Sequence, residues 1–422
     1  MNISKNPFST LFQDLPLPCG LVLPNRLGKA AMEESLAEPG QLPGARIEGL
    51  YRRWAQGGAG LLLTGNVMVD SRAMTGPATI ALEHDTPIDG FRAWSAAAKS
   101  AGGKVVMQIS HPGRQVFAAM GGLVWAPSEV ALDLGKHSNM FRPPQAMTQE
   151  NIDELIARFA TTARRAQEAG FDGVQIHAAH GYLISQFLSP HTNQRSDGWG
   201  GAIAGRARLL IAVVRAVRQV VQPGFAVAVK LNSADFQRGG FSDSDAQAVV
   251  EMLNHEAVDF VELSGGSYES PAMQGRTADG RTLAREAYFL EFARTLSGHA
   301  RMPLMTTGGI LRPQVACSVL AGGVALVGMG TALALAPDLP RQWAQGQDAA
   351  APAVHIGWKD KTLVGLATMA LTRSQLHRLA RGDSPKPNAS PLWTLVLDQL
   401  RSRRMIKRYR TWSRGRAQPG GF

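Results

Sequence analysis

The sequence predicts a (β/α)8 barrel of the TIM type, and three observations predict it. Eight short apolar runs alternate with amphipathic stretches from Leu27 to about Pro340. Polar residues and glycines gather just past the ends of these runs, where such barrels place their active residues. No G-x-G-x-x-G follows the first run, so a doubly wound sheet with a dinucleotide fingerprint is not supported.

The candidate strands are 27–32, 60–65, 104–110, 173–177, 225–231, 258–263, 303–306 and 324–328. Residues 148–170 and 243–255 typify the helical stretches between them. Thr148-Gln-Glu-Asn-Ile reads as a helix start, because a threonine hydroxyl can accept from the first free backbone N–H groups, and Gly170 reads as the stop. Residues 1–15 lack the apolar core of a secretory signal. The most apolar run, 321–336, is broken by Gly322, Gly323, Gly328 and Gly330, and reads as a buried strand and turn. Cys19 and Cys317 are far apart in the chain, so no disulfide framework is expected and a reducing cytoplasm is the simple inference.

The fourth run carries the densest chemistry. It ends on His177, and His180 and Tyr182 follow at once. Two imidazoles and a phenol at a strand mouth are hydrogen-bond donors at neutral pH. They suit a site that polarises a carbonyl or nitro group and hands the substrate a proton. A lone His-x-x-His also fits a polar loop or a metal pair. The third run ends in Gln108, whose amide donates and accepts at once. A buried glutamine serving only the barrel is the alternative. The fifth run, Ala226-Val-Ala-Val229, ends on Lys230, a charge that needs a partner or a ligand there. Gly65 lets a flat ring approach the backbone after the second run. Gly265, Gly308-Gly309 and Gly330-Thr331 follow the last three runs, and glycine turns after the final two commonly hold a phosphate in barrels.

His177-x-x-His180-x-Tyr182, followed by Asn193-x-Arg195-x-Asp197-x-Trp199-Gly200-Gly201, resembles the old yellow enzymes, the flavin-dependent ene-reductases of the NADH:flavin oxidoreductase group. Pro24-Asn25-Arg26 with Lys29-Ala-Ala31-Met32-Glu33, Gln108-Ile-Ser-His111-Pro-Gly113-Arg114, and Arg206 fit the same resemblance. It implies FMN lying flat at the barrel mouth. Ala31 and Met32 would cover one edge, with Glu33 near O4, Gln108 at the pyrimidine edge and Lys230 against N1 and O2, where a cation favours the anionic reduced ring. Gly65, Gly265, Gly308, Gly309, Gly330 and Thr331 complete the implied cofactor set. The resemblance further implies that NADH or NADPH reduces the flavin and that an activated alkene is then reduced through N5 in a ping-pong cycle. His177 and His180 would hold the alkene's carbonyl or nitro oxygen, and Tyr182 would supply a proton. No metal is expected, because the cysteine run of the iron–sulfur relatives is missing.

Five positions depart from the family pattern. Ala31 replaces a proline. Glu33 stands where a Thr or Cys is usual, and a carboxylate there disfavours reduced flavin unless it is protonated, turned away or paired with an arginine. Ala204 and Gly205 replace a Glu-Asn pair, a change expected to be local. Thr331 replaces the arginine that grips the phosphate, so FMN is expected to bind more weakly or to use another arginine. Two other readings stay open: dehydrogenation of an amine or other C–H donor on the same barrel, and a weakened barrel kept as an interaction or membrane-docking protein.

Residues 121–146, with Trp125, Pro127, Pro143 and Pro144, show no period and predict a small hairpin cap over the site, within about 112–147. The net charge is +11, and residues 351–422 hold 14 Lys and Arg against 3 Asp, leaving 30 of each sign before them. The chain therefore divides into an FMN-binding barrel, 1–350, and a basic extension, 351–422. A neutral body argues against nucleic acid as a partner. The amphipathic basic stretch from Leu392 has three readings. It packs on its own barrel or on a dimer mate, rests on an anionic membrane surface through 392–416, or binds the phosphates of a substrate or NADPH. A homo-oligomer is expected.

Overall fold

The computed structural model describes residues 6–270 and 289–416. Eight parallel strands form the barrel: β1 (Leu27–Lys29), β2 (Leu61–Leu63), β3 (Lys104–Ser110), β4 (Gly173–Ala178), β5 (Ala226–Asn232), β6 (Phe260–Ser264), β7 (Leu304–Thr306) and β8 (Leu326–Met329). They pair in sequence order, β8 returns to β1, and β3 pairs with β4 to complete the circle. All eight lie where the sequence predicts. The first two are shorter than expected, because the Glu34 carboxylate accepts from the Gly65 N–H at 2.9 Å and from the Tyr51 hydroxyl, which fixes both strand exits as rim structure.

Alternation along the strands separates two cores. Leu61, Leu63, Val106, Ala226, Ala228, Phe260, Met305 and Leu326 fill the barrel interior. Leu15, Leu17 and Leu23, from the hairpin Leu15–Pro16 against Val22–Leu23, pack into the same cluster. Their neighbours Leu62, Val105, Val227, Val229, Val261 and Val327 belong to the outer core. Continuing the interior parity toward the carboxyl ends brings Gln108, Gln175, Lys230 and Glu262 to one level. The apolar plug thus ends in a polar layer.

The helix Gln149–Glu168 starts on Thr148 with reciprocal side-chain capping by Asn151, and Gly170 beyond it has φ 82°. Ser242 and Asp245 cap Asp243–Leu253 in the same way. The cap departs from expectation. Trp125–Ala126 pairs with Gln145–Ala146 in parallel, so it is not a hairpin. The intervening chain passes through the 3₁₀ turn Gly135–Met140 and returns to the same end before the second strand begins. The cap is anchored by Arg195, which donates to Pro127 O at 3.0 Å and Met147 O at 2.7 Å while Asp197 braces it.

The extension folds back on its own barrel. A wall helix (Lys361–Leu379) packs against Ala45–Gln56 and Thr331–Leu335, and a terminal helix (Pro391–Arg416) packs along the wall helix. Tyr409 is buried with Met68, Met74, Ala81 and Met120, and its hydroxyl donates to Ser71 O at 2.9 Å. Tyr409→Ala is expected to cost about 3 kcal/mol, read as a lower denaturation midpoint. An unchanged midpoint would show that the terminal helix adds nothing to stability at that point. Among the described residues no helix is long and apolar enough to cross a membrane.

Candidate active site

The β4 exit is shaped by its backbone. His180 (φ 61°) and Gly181 (φ 71°) are consecutive left-handed residues, a conformation unusual for histidine. Asn232 Oδ1 accepts from the His180 N–H at 3.1 Å, and the Gln115 amide donates to His180 O at 3.1 Å, which holds the turn. The turn folds the chain back, so His177 and His180 meet at 5.0 Å and 76°, and Tyr182 meets His177 at 4.8 Å and 89°. His180 Nε2 shares a hydrogen bond with Ser264 Oγ at 2.8 Å. The Tyr182 hydroxyl lies 3.3 Å from Asn66 Nδ2 and 3.3 Å from the Tyr268 hydroxyl.

Electrostatics fixes the protonation of all three. Burial, with the Lys230 ammonium nearby, holds both imidazoles well below the usual histidine range. His177 Nδ1 accepts from the Ala179 N–H at 3.2 Å, so its proton sits on Nε2. Burial raises the Tyr182 phenol well above its ordinary value, and the charge of Glu33 adds to this. At neutral pH the three groups are two neutral imidazoles and one protonated phenol.

Below them, the polar layer is a continuous chain. Gln108 donates to Gln175 at 2.7 Å, Gln175 donates to Glu262 at 2.7 Å, and Lys230 pairs with the other Glu262 oxygen at 2.8 Å. The carboxylate neutralises Lys230, and the two amides satisfy what remains, as a charged group deep in a barrel requires. A second buried network lies behind β1. There Lys29 Nζ donates to Leu63 O at 2.7 Å, and lies 3.6 Å from Glu34 and 4.4 Å from the Trp54 ring centre. Burial lowers Lys29 to about 8, against the opposing pull of Glu34.

A cavity of ≈ 550 Å³ opens at the carboxyl ends of the strands, within the size range of small-molecule sites. Ala31, Met32, Glu33, His180, Lys230, Gly308, Gly309, Gly330 and Thr331 all line it. His177, Tyr182, Gln108, Gly65 and Gly265 lie outside the lining. Gly65 owes its lack of a side chain to Glu34 and the Met32 carbonyl, which a Cβ would strike. Gly265 leaves room for Phe236, Phe289 and Ser233. Glu33 is half-buried on the cavity wall, where its Oε1 accepts from Thr75 at 2.5 Å and Thr79 at 3.1 Å, and among the described residues it forms no ion pair. Arg195, Asp197 and Asn193 serve the cap and the loop rather than the cavity.

The extension supplies the wall that sequence reasoning did not anticipate. Pro352, Val354, Met369, Thr372 and Arg373 line the cavity, and Arg373 feels the charge of Glu33. Its Nη1 donates to Asp398 at 2.6 Å, while its buried Nε has no partner among the described residues. Gln175, Glu262 and Tyr268 were missed as well. For Glu262 the signal was present: an acid in an apolar strand at the same interior parity as Lys230.

Two histidines away from the donor pair predict acid sensitivity. Burial lowers His111 to about 4 and His377 to about 3, the latter helped by Arg401, whose guanidinium meets His377 Nδ1 while Nε2 faces Glu34 O at 2.9 Å. Above about pH 6.5 these groups are neutral in both folded and unfolded chains. Below it the unfolded chain takes up protons that the folded one refuses. Stability then falls by up to about 1.4 kcal/mol per pH unit per group, ending near pH 4 for His111 and near pH 3 for His377. His377→Gln is expected to flatten the dependence of the melting midpoint between pH 6.5 and 5. An unchanged slope would remove His377 from this account.

The lining fits FMN. Lys230 supplies a fixed cation, Gly308 (φ 111°) and Gly309 (φ 68°) turn without side chains, and a Cβ on Gly330 would meet nothing nearer than Met32 at 3.7 Å. A closed parallel barrel with this arrangement at its carboxyl mouth defines a cofactor-dependent barrel enzyme. The chain belongs to the NADH:flavin oxidoreductase / NADH oxidase family, whose model matches residues 11–349, and within it to the old yellow enzymes, with FMN as cofactor and NAD(P)H as reductant. It is 39% identical over 352 residues to the NADH-dependent flavin oxidoreductase iliE of Neonectria sp. (strain DH2), covering 78% of this chain but only 46% of that protein. The protein of the same name from Hypocrea jecorina (strain QM6a) is 36% identical, with 78% of this chain and 87% of that one covered. The old yellow enzyme homologue from Zymomonas mobilis superposes with a TM-score of 0.69 at 26% identity, over 82% of this chain and 95% of that chain. Morphinone reductase gives 0.66 at 25%, over 82% and 93%.

Proposed function

We propose that the protein reduces activated C=C bonds, such as those of enones, enals or nitroalkenes, at the expense of NAD(P)H. The observation that carries this reading is the pair of neutral imidazoles, His177 buried and His180 half-buried on the cavity wall, beside a protonated phenol at the barrel mouth. FMN, when bound, supplies hydride acceptance from NAD(P)H and hydride donation to the alkene through N5. Ala31, Met32, Lys230, Gly308, Gly309, Gly330 and Thr331 would hold it. His180, on the cavity wall, and His177, whose ring lies 5.0 Å behind it, would donate hydrogen bonds to the substrate oxygen. Neutral donors suit this task, because negative charge grows on that oxygen only in the transition state. Tyr182 gives its proton to the α-carbon, and Tyr268 and Asn66 position its hydroxyl. Because reductant and substrate use one cavity in turn, no separate nucleotide domain is needed. The missing dinucleotide fingerprint supports that arrangement.

The test is the visible spectrum of the purified protein with a phenol titrated in. A phenolate stacked over oxidised FMN, its oxygen between the two imidazoles, gives a long-wavelength charge-transfer band. His177→Ala is expected to abolish the band while FMN stays bound. A colourless protein that stays apo with added FMN would sink the reading.

A further inference from the structure

We propose that the terminal helix docks the protein on an anionic lipid surface. The helix Pro391–Arg416 is 26 residues long, about 39 Å at 1.5 Å per residue. One side is committed to the fold. Leu395, Ile406, Tyr409 and Trp412 pack inward, Arg401 donates to Ser35 O at 3.0 Å, and the helix's single acid, Asp398, is taken by Arg373. The opposite side is one continuous exposed face split in two by chemistry. Its first half carries Leu392, Trp393, Val396, Leu397 and Leu400, exposed by 58%, 67%, 39%, 64% and 58%. Its second half carries Arg403, Arg404, Lys407, Arg410 and Arg414, also exposed.

Five large apolar side chains held outward in contiguous turns are more than water normally covers on a soluble surface. The charge says what covers them. No acid shares the face, so its occupant must be apolar along one half and anionic along the other. The terminal helix of a second copy cannot meet both halves at once. Two terminal helices laid parallel would oppose cations to cations, and laid antiparallel would set cations on Leu397 and Trp393. A membrane with acidic headgroups meets both halves at once, with the apolar turns in the acyl boundary and the basic turns on the headgroups. The face lies in the plane of the bilayer and does not cross it.

The experiment is vesicle co-sedimentation of the full FMN-loaded chain, using phosphatidylcholine alone and phosphatidylcholine with phosphatidylserine. Binding is expected only to the anionic vesicles, and to weaken as salt rises. Arg403→Gln with Arg404→Gln should weaken binding roughly 30-fold, and Trp393→Ser with Leu397→Ser should abolish it. Both variants should retain the wild-type FMN spectrum and melting midpoint, since neither touches the barrel. Failure of wild-type protein to bind anionic vesicles at low salt would overturn the proposal. So would binding indifferent to both variants, or a stable dimer in solution that Trp393→Ser with Leu397→Ser converts to monomer.

Discussion

Tyr182→Phe is expected to slow alkene reduction by about 10²- to 10⁴-fold and to leave reduction of the bound flavin by NAD(P)H unchanged. The division follows from what the phenol is for. Burial and the Glu33 charge keep its proton in place at neutral pH, so it is an acid in reserve, used only when a carbanion-like α-carbon appears. Reduction of the flavin needs no such acid. The substitution removes one oxygen from a site where Asn66 and Tyr268 each stand 3.3 Å away, so the fold should be little disturbed. Stopped-flow measurement of the two half-reactions separates the outcomes. Equal slowing of both would contradict the assigned role. His177→Ala should behave differently, losing about 10²- to 10³-fold by removing a donor to the developing oxyanion, together with the phenol band.

Lys230→Met is expected to act on stability and on the cofactor together. Lys230 and Glu262 are almost wholly buried and pair at 2.8 Å. Removing the cation leaves a buried carboxylate unpaired, a loss of about 3 kcal/mol or more. The double variant Lys230→Met with Glu262→Gln removes both charges, leaves Gln175 a neutral partner, and should recover most of that loss. It should still bind FMN less tightly than wild type and shift its midpoint potential negative, because no cation remains to favour the reduced ring. FMN titration and a redox titration against a reference dye read these independently of turnover. Normal FMN affinity and potential in the double variant would remove Lys230 from the cofactor site.

The barrel and the donor triplet were legible because both are local. Strand and helix periods show within a few residues, and His177, His180 and Tyr182 lie within one turn of chain. Gln108 and Lys230 were legible as strand-end polar residues, since a lone amide or ammonium in an apolar run demands an explanation. Their partners Gln175 and Glu262 come from other strands, and only the register of the closed barrel makes them neighbours. The glycines were harder. Their absent side chains suggested cofactor contact at all five positions, but at Gly65 and Gly265 the space a Cβ would take is already filled by protein groups. A missing Cβ does not say what fills the space.

The sequence by itself determined the strand order, the polar rim at β3, β4 and β5, and an amphipathic basic tail, because each follows from side-chain chemistry and short-range spacing. Tertiary structure alone decided that the cap strands run parallel, that Glu33 is held by Thr75 and Thr79, and that the extension walls the cavity through Arg373. Those outcomes join residues from tens to hundreds of positions apart. Their energies depend on which surfaces barrel closure brings together, and no local pattern carries that information.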